Sequence, residues 1–141
     1  MPSVIRPLHR AFLPLLFAAI AACAPPPHGK LFGRFTGLLP CADCPGIHID
    51  LTLYSGPATY DLKQTYQSSR HGNPTYTEQG TWLIERGTAK DPKAVVYELD
   101  PAHSHSKQFY LRADKNTLLL LDANREELPP QLPHTLKRRT D

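Results

Sequence analysis

Beyond residue 30 the chain alternates apolar and polar positions in short runs separated by turn residues. Ile47, Ile49, Leu51 and Leu53 alternate with His48, Asp50, Thr52 and Tyr54. A period of two puts the four apolar side chains on one side of an extended strand. "SGP" at Ser55 to Pro57 turns the chain, and Tyr60, Leu62, Gln64 and Tyr66 form the next stripe. After the loop "RHGNP", Gly80, Trp82 and Ile84 share a face. Val95, Tyr97 and Leu99 follow, then Phe109 and Leu111, then the run Thr117 to Leu121. "ERGTAKDPK", "DPAHSHS" and "ADKN" break these runs apart. After "DANREELPPQLP" a last short strand is expected near Thr135 and Leu136.

With Leu31 to Leu38 as the first, the pattern predicts about eight strands, evenly spaced. No stretch in this part of the chain has a helical period, although "LDANREEL" has room for one turn. Hairpin-linked strands of this kind predict an all-β fold, a small antiparallel up-and-down barrel that leaves no exposed edge. A β-sandwich is the alternative. The run Leu118 to Leu121 is apolar on both faces, so that strand is expected to be covered on both sides.

The first thirty residues follow a different rule. Arg6 and Arg10 precede an apolar stretch from Ala11 to Ala22 that contains Pro14. The stretch is shorter than the roughly 20 residues a membrane-spanning helix needs. A charged front, a short apolar middle and small residues at its end fit a secretory signal peptide over 1–22. Ile20, Ala21, Ala22 and Cys23 resemble the bacterial lipobox, in which a peptidase cuts before a cysteine that carries a diacylglycerol and an N-acyl chain. Several acyl chains on one cysteine would hold a protein to a bilayer almost permanently. Residue 24 is Ala and not Asp, which fits sorting to the outer membrane. Residues 23–29 then form a lipidated cysteine and a Pro-rich spacer expected to keep the domain off the lipid surface. Residues 30–141 are the barrel.

Charge narrows the partners. The chain has 16 Lys and Arg against 13 Asp and Glu, a net charge of +3. Loss of Arg6 and Arg10 with the leader brings it to about +1. Near-neutrality argues against a nucleic acid, and the basic run Lys137 to Arg139 reads as a solvated end. The remaining 119 residues suffice for one domain, expected to be monomeric.

If Cys23 is lipidated, only Cys41 and Cys44 are left for chemistry. They lie in "LLPCADCPGIHID", two residues apart between prolines. A thiol–disulfide oxidoreductase would open a helix with such a pair, and the helix N-terminus would lower the thiol pKa. Here a strand follows, and Asp43 opposes thiolate formation. Structural zinc needs four ligands, and the chain offers one pair, with His48 nearby and His103 and His105 far along. Cu(I) is soft and accepts few ligands, so two thiolates helped by His48 could hold it. A plain disulfide would close a very short loop, where the entropic gain is small. His103 and His105 alternate, as two ligands on one strand would, but their Pro/Ser/Lys setting reads as an exposed loop.

"GLLPCADCPGIHIDLTLY" resembles the signature of the NlpE family of outer-membrane lipoproteins, G-x-L-P-C-A-D-C-x-G-I followed by D-L-x-L. Gly37, Leu39, Pro40, Cys41, Ala42, Asp43, Cys44, Gly46, Ile47, Asp50, Leu51 and Leu53 match it. Gly80-Thr81-Trp82, Phe109-Tyr110-Leu111, Leu119 to Asp122 and Leu132 to Leu136 are similar to later strands of the family. The resemblance implies a lipocalin-like barrel and a non-enzymatic role in copper homeostasis or resistance, or in envelope-stress sensing. It also implies Cu(I) at Cys41 and Cys44, contact with an envelope-stress sensor kinase, and a location on the periplasmic side of the outer membrane. Longer members carry a second domain with its own cysteine pair, which this chain does not show. A lipocalin-like carrier of a small apolar molecule is the other binding function an eight-stranded barrel supports. Alternatively, Trp82, Phe35 and the tyrosines fill the interior.

Overall fold

The computed structural model describes residues 28–68 and 72–140. The leader, the lipobox residues Ile20, Ala21 and Ala22, the lipidation candidate Cys23 and most of the spacer lie outside the described residues.

Eight strands form one closed antiparallel barrel in sequence order. They are β1 (Lys30–Leu39), β2 (Ile47–Ser55), β3 (Thr59–Tyr66), β4 (Thr75–Arg86), β5 (Val95–Leu99), β6 (Gln108–Asp114), β7 (Thr117–Leu121) and β8 (Thr135–Arg138). β8 pairs with both β7 and β1, with Gly37 opposite Leu136, and this closes the sheet. Most of the alternating stripes turn inward: Ile49, Leu51, Leu53, Tyr60, Leu62, Trp82, Tyr97 and Leu99 are all in the core, whereas the stripe Phe109 and Leu111 faces outward and Tyr110 between them points in. No helix is present among the described residues. In "LDANREEL" the Asp122 carboxylate accepts from the amides of Asn124 and Glu126, which makes a tight turn instead.

β4 is longer than its apolar stripe suggests. Its first half, Thr75 to Gln79, is polar and mostly exposed, yet it pairs with β3 from Thr65↔Thr75 onward. Hydrogen bonding, not hydrophobic alternation, carries the strand there.

Side chains fill the interior. Phe32 and Trp82 ring centroids lie 4.9 Å apart, and Trp82 and Tyr97 lie 5.3 Å apart. Trp82 donates its indole N–H to the Tyr54 carbonyl at 2.8 Å, so its one polar atom is satisfied. Tyr60 and Tyr110 are buried beside them. Arg138 points inward below Phe35, its guanidinium carbon 4.7 Å from the ring centroid. It donates to the carbonyls of Phe32 and Lys115, and so helps close that end of the barrel.

A second, smaller core lies outside the barrel. Val96, Phe109 and Leu121 pack with Leu111 on the outer face of β5–β7. Arg125, from the β7–β8 connection, covers Phe109 at 5.1 Å. β7 is therefore buried on both faces, Leu118 inside and Leu121 outside.

Strand directions define two ends. The connections 40–46, 67–74, 100–107 and 122–134 share one end, called here the cysteine end. The connections 56–58, 87–94 and 115–116 share the other, where β1 begins.

Candidate functional site

Most of the signature segment builds the barrel. Leu39, Leu51 and Leu53 are core residues, and Ile47 packs against them. Gly37 lets β8 approach β1, since a Cβ there would stand 2.2 Å from the Thr135 carbonyl oxygen. Gly46 lies under Leu38, whose side chain would meet a Cβ at 2.7 Å. The Gly46 carbonyl accepts from the Gln67 amide at 3.0 Å, which ties the loop to the end of β3. Asp50 sits on the outer face, 3.7 Å from His48 Nδ1 and 3.9 Å from Arg139. Residues 40–44 remain, with no core role, on the rim of the barrel.

Cys41 and Cys44 are joined as a disulfide, with an S–S distance of 2.02 Å and a Cα separation of 5.3 Å. That separation lies in the ordinary disulfide range. Both cysteines are half-buried, whereas Ala42, Asp43 and Pro45 are exposed. The bond is thus presented on a short rim loop anchored at its base.

His48 faces the outer surface of the sheet. Its Nε2 lies 3.3 Å from Thr36 Oγ1 and its Nδ1 faces Asp50. His103 and His105 sit in the turns between β5 and β6, not on a strand. His103 Nδ1 lies 2.6 Å from Asp100 Oδ1, and Ser106 donates its hydroxyl to the other Asp100 oxygen. These hydrogen bonds, Ser106 first and His103 second, hold the Asp100 carboxyl below its usual range. Among the described residues no group of three or more His, Cys, Asp and Glu could hold a metal ion. While the disulfide stands, Cys41 and Cys44 offer no thiolate. Reduction would expose two soft donors that suit Cu(I).

One inward-facing polar group escapes the sequence pattern. Glu78 shares the inward side of β4 with Gly80 and Trp82, opposite Leu62. Tyr60, which packs over Gly80, donates its hydroxyl to the Glu78 carboxylate. Tyr110 donates to Gln108 Oε1 at 2.9 Å. Burial, and then the bond to Glu78, push the Tyr60 phenol up; burial does the same for Tyr110. The signal was available, because a carboxylate two residues before Gly80 in the same alternating stripe is a charge at a core position.

Fold and loop together define a small closed barrel that carries a CxxC disulfide on its rim. The chain belongs to the NlpE family: the family model described as NlpE N-terminal domain matches residues 35–130. Among curated proteins it is similar to the 17 kDa lipoprotein of Treponema pallidum (strain Nichols), 29% identical over 91 residues, 64% of this chain and 57% of that protein. It is also similar to Lipoprotein NlpE of Escherichia coli (strain K12), 29% identical over 101 residues, 72% of this chain and 38% of that protein. The matched part thus spans less than two thirds of either relative. No solved structure matches significantly.

Proposed function

We propose that this protein is a lipid-anchored lipoprotein of the outer membrane, acting in copper homeostasis or envelope-stress sensing through its Cys41–Cys44 loop. Cys23 would bear the lipid, because it follows the lipobox-like Ile20-Ala21-Ala22, and both relatives are named lipoproteins. The observation that carries the reading is the rim disulfide, held on a packed barrel by Gly46 and Leu38 yet outside the core. A bond that closes so short a loop contributes little to folding, which favours a responsive role. Two electrons and two protons from an envelope dithiol would open it, and the two thiols would release their protons on taking Cu(I). A sensor kinase is the partner this role calls for.

Tight, stoichiometric Cu(I) binding is expected of the reduced protein and absent from Cys41→Ser/Cys44→Ser. Unchanged binding in that variant would sink the metal reading. Alkylation of envelope protein, with and without copper, distinguishes the states. Thiols that copper protects support a metal clasp, whereas a pair oxidised under all conditions supports a structural staple.

A further inference from the structure

The two ends of the barrel carry opposite charge. Where β1 begins stand Lys30, Arg86, Lys93, Arg112 and Lys115, all exposed. None of the five has an ion-pair partner among the described residues. The nearby acids Asp91 and Asp114 accept hydrogen bonds within their own turns. The connections at the cysteine end hold Asp43, Asp100 and Asp122, whereas Glu126 and Glu127 lie back along the outside of the barrel against residues 88–90, with Glu127 3.7 Å from Lys90. The described cations of these connections are engaged, Lys107 with Glu98 at 2.7 Å and Arg125 with Glu85 at 3.7 Å. Two apolar side chains, Leu31 and Ile84, are 50% and 52% exposed toward the basic end.

The chain also enters at that end. His28 stacks on Tyr54 with ring centroids 4.4 Å apart, and its Nε2 lies 3.6 Å from Asp61. Only four residues lie between Cys23 and His28. At about 3.1 Å per residue the five steps from one to the other reach about 16 Å when extended. That upper limit is about two Debye lengths at physiological salt. The tether therefore allows the cation cluster to approach within one Debye length of the bilayer, where the field of the headgroups acts.

We propose that the basic end of the barrel docks on anionic phospholipid headgroups, so that the Cys41–Cys44 loop points away from the membrane. The proposal rests on the reading of Cys23 as lipid-bearing. Lys30, Arg86, Lys93, Arg112 and Lys115 supply the attraction, and Leu31 and Ile84 supply the apolar contact that a membrane surface favours. The acidic cysteine end is repelled by the same lipids and stays open to a reductant, a metal ion or a protein partner.

The test uses the full chain isolated from a bacterial envelope, with its acylation read by mass spectrometry. It is reconstituted in vesicles of phosphatidylcholine, with or without phosphatidylglycerol, whose headgroups carry a quencher. A fluorophore on Asn116→Cys reports the basic end, and one on Ala102→Cys reports the cysteine end. With phosphatidylglycerol the Asn116 label is expected to lose most of its emission while the Ala102 label keeps it. Salt at about 1 M, where the Debye length is about 3 Å, should restore the emission. Lys30→Gln/Lys93→Gln/Lys115→Gln should restore it without added salt. Equal quenching at both positions, or equal quenching with and without phosphatidylglycerol, overturns the docking. A protein that lacks the acyl mass overturns the anchor and the docking with it, whereas an acylated protein quenched equally at both ends overturns the docking alone.

Discussion

Gly37 shows how a signature residue can serve packing. Its hydrogen stands where a Cβ would press on the backbone of β8. Gly37→Ala is expected to cost about 1–3 kcal/mol, the usual range for overpacking, read as a lower urea midpoint. A midpoint equal to the parent's would mean that β8 moves aside freely. Asp100 is a different residue-scale device. It has a φ of +54°, which Asn tolerates nearly as well as Asp. Its carboxyl titrates below the unfolded value because Ser106 and His103 favour the ionised form. A depressed carboxyl adds stability above the unfolded pKa of about 3.9, and that stability is lost as pH falls through the folded value. Asp100→Asn should therefore be less stable than the parent at neutral pH, and the gap should close in strong acid. A gap that persists at low pH would place the cause elsewhere in the loop.

At the scale of elements, the connection 122–134 acts as a cover. It lays Arg125 over Phe109 and brings it within 3.9 Å of the buried Glu98. The apolar outer face of β5–β7 is thereby closed to water. Phe109→Ala should cost about 3–5 kcal/mol, as large aromatic truncations do in cores. A loss near zero in a denaturation series would show that this outer cluster is not a core. The sequence showed β7 to be apolar on both faces, which called for a cover, but left open what supplied it. The polar first half of β4 was not legible, because backbone pairing with β3 needs no apolar stripe. Within the signature, the leucines could be assigned inward by parity alone, whereas the reason for Gly37 depends on β8, about a hundred residues further on.

Over the whole molecule, two inward tyrosines couple the barrel to pH. Burial raises the phenols of Tyr60 and Tyr110 above the ordinary value. The folded state therefore keeps these protons while the unfolded chain loses them near pH 10. Their contribution is fully present below that pH and declines as pH rises past it. Stability should fall in alkali, and Tyr60→Phe/Tyr110→Phe should flatten the fall when urea midpoints are plotted against pH. An equally steep fall in the variant would assign the effect to other groups.

The sequence alone determined eight strands, the inward faces of most of them and the all-β class, because period-two alternation is a local property of each run; in β6 the stripe Phe109 and Leu111 is the outward face, and Tyr110 points in. The sequence also marked the rim loop, since a CxxC between prolines that leads into a strand suits neither a thioredoxin-like helix nor a four-ligand zinc site. Only the tertiary structure decided the rest. Closure of the sheet depends on β1 meeting β8, a contact between distant parts of the chain. The anchoring of the Cys41–Cys44 loop on the barrel rim depends on the contact of Gly46 with Leu38 and its hydrogen bond to Gln67. The ring of His48 is turned toward Thr36 and Asp50 by strand pleat and register. The separation of basic and acidic ends arises only when antiparallel order gathers alternate connections at opposite poles.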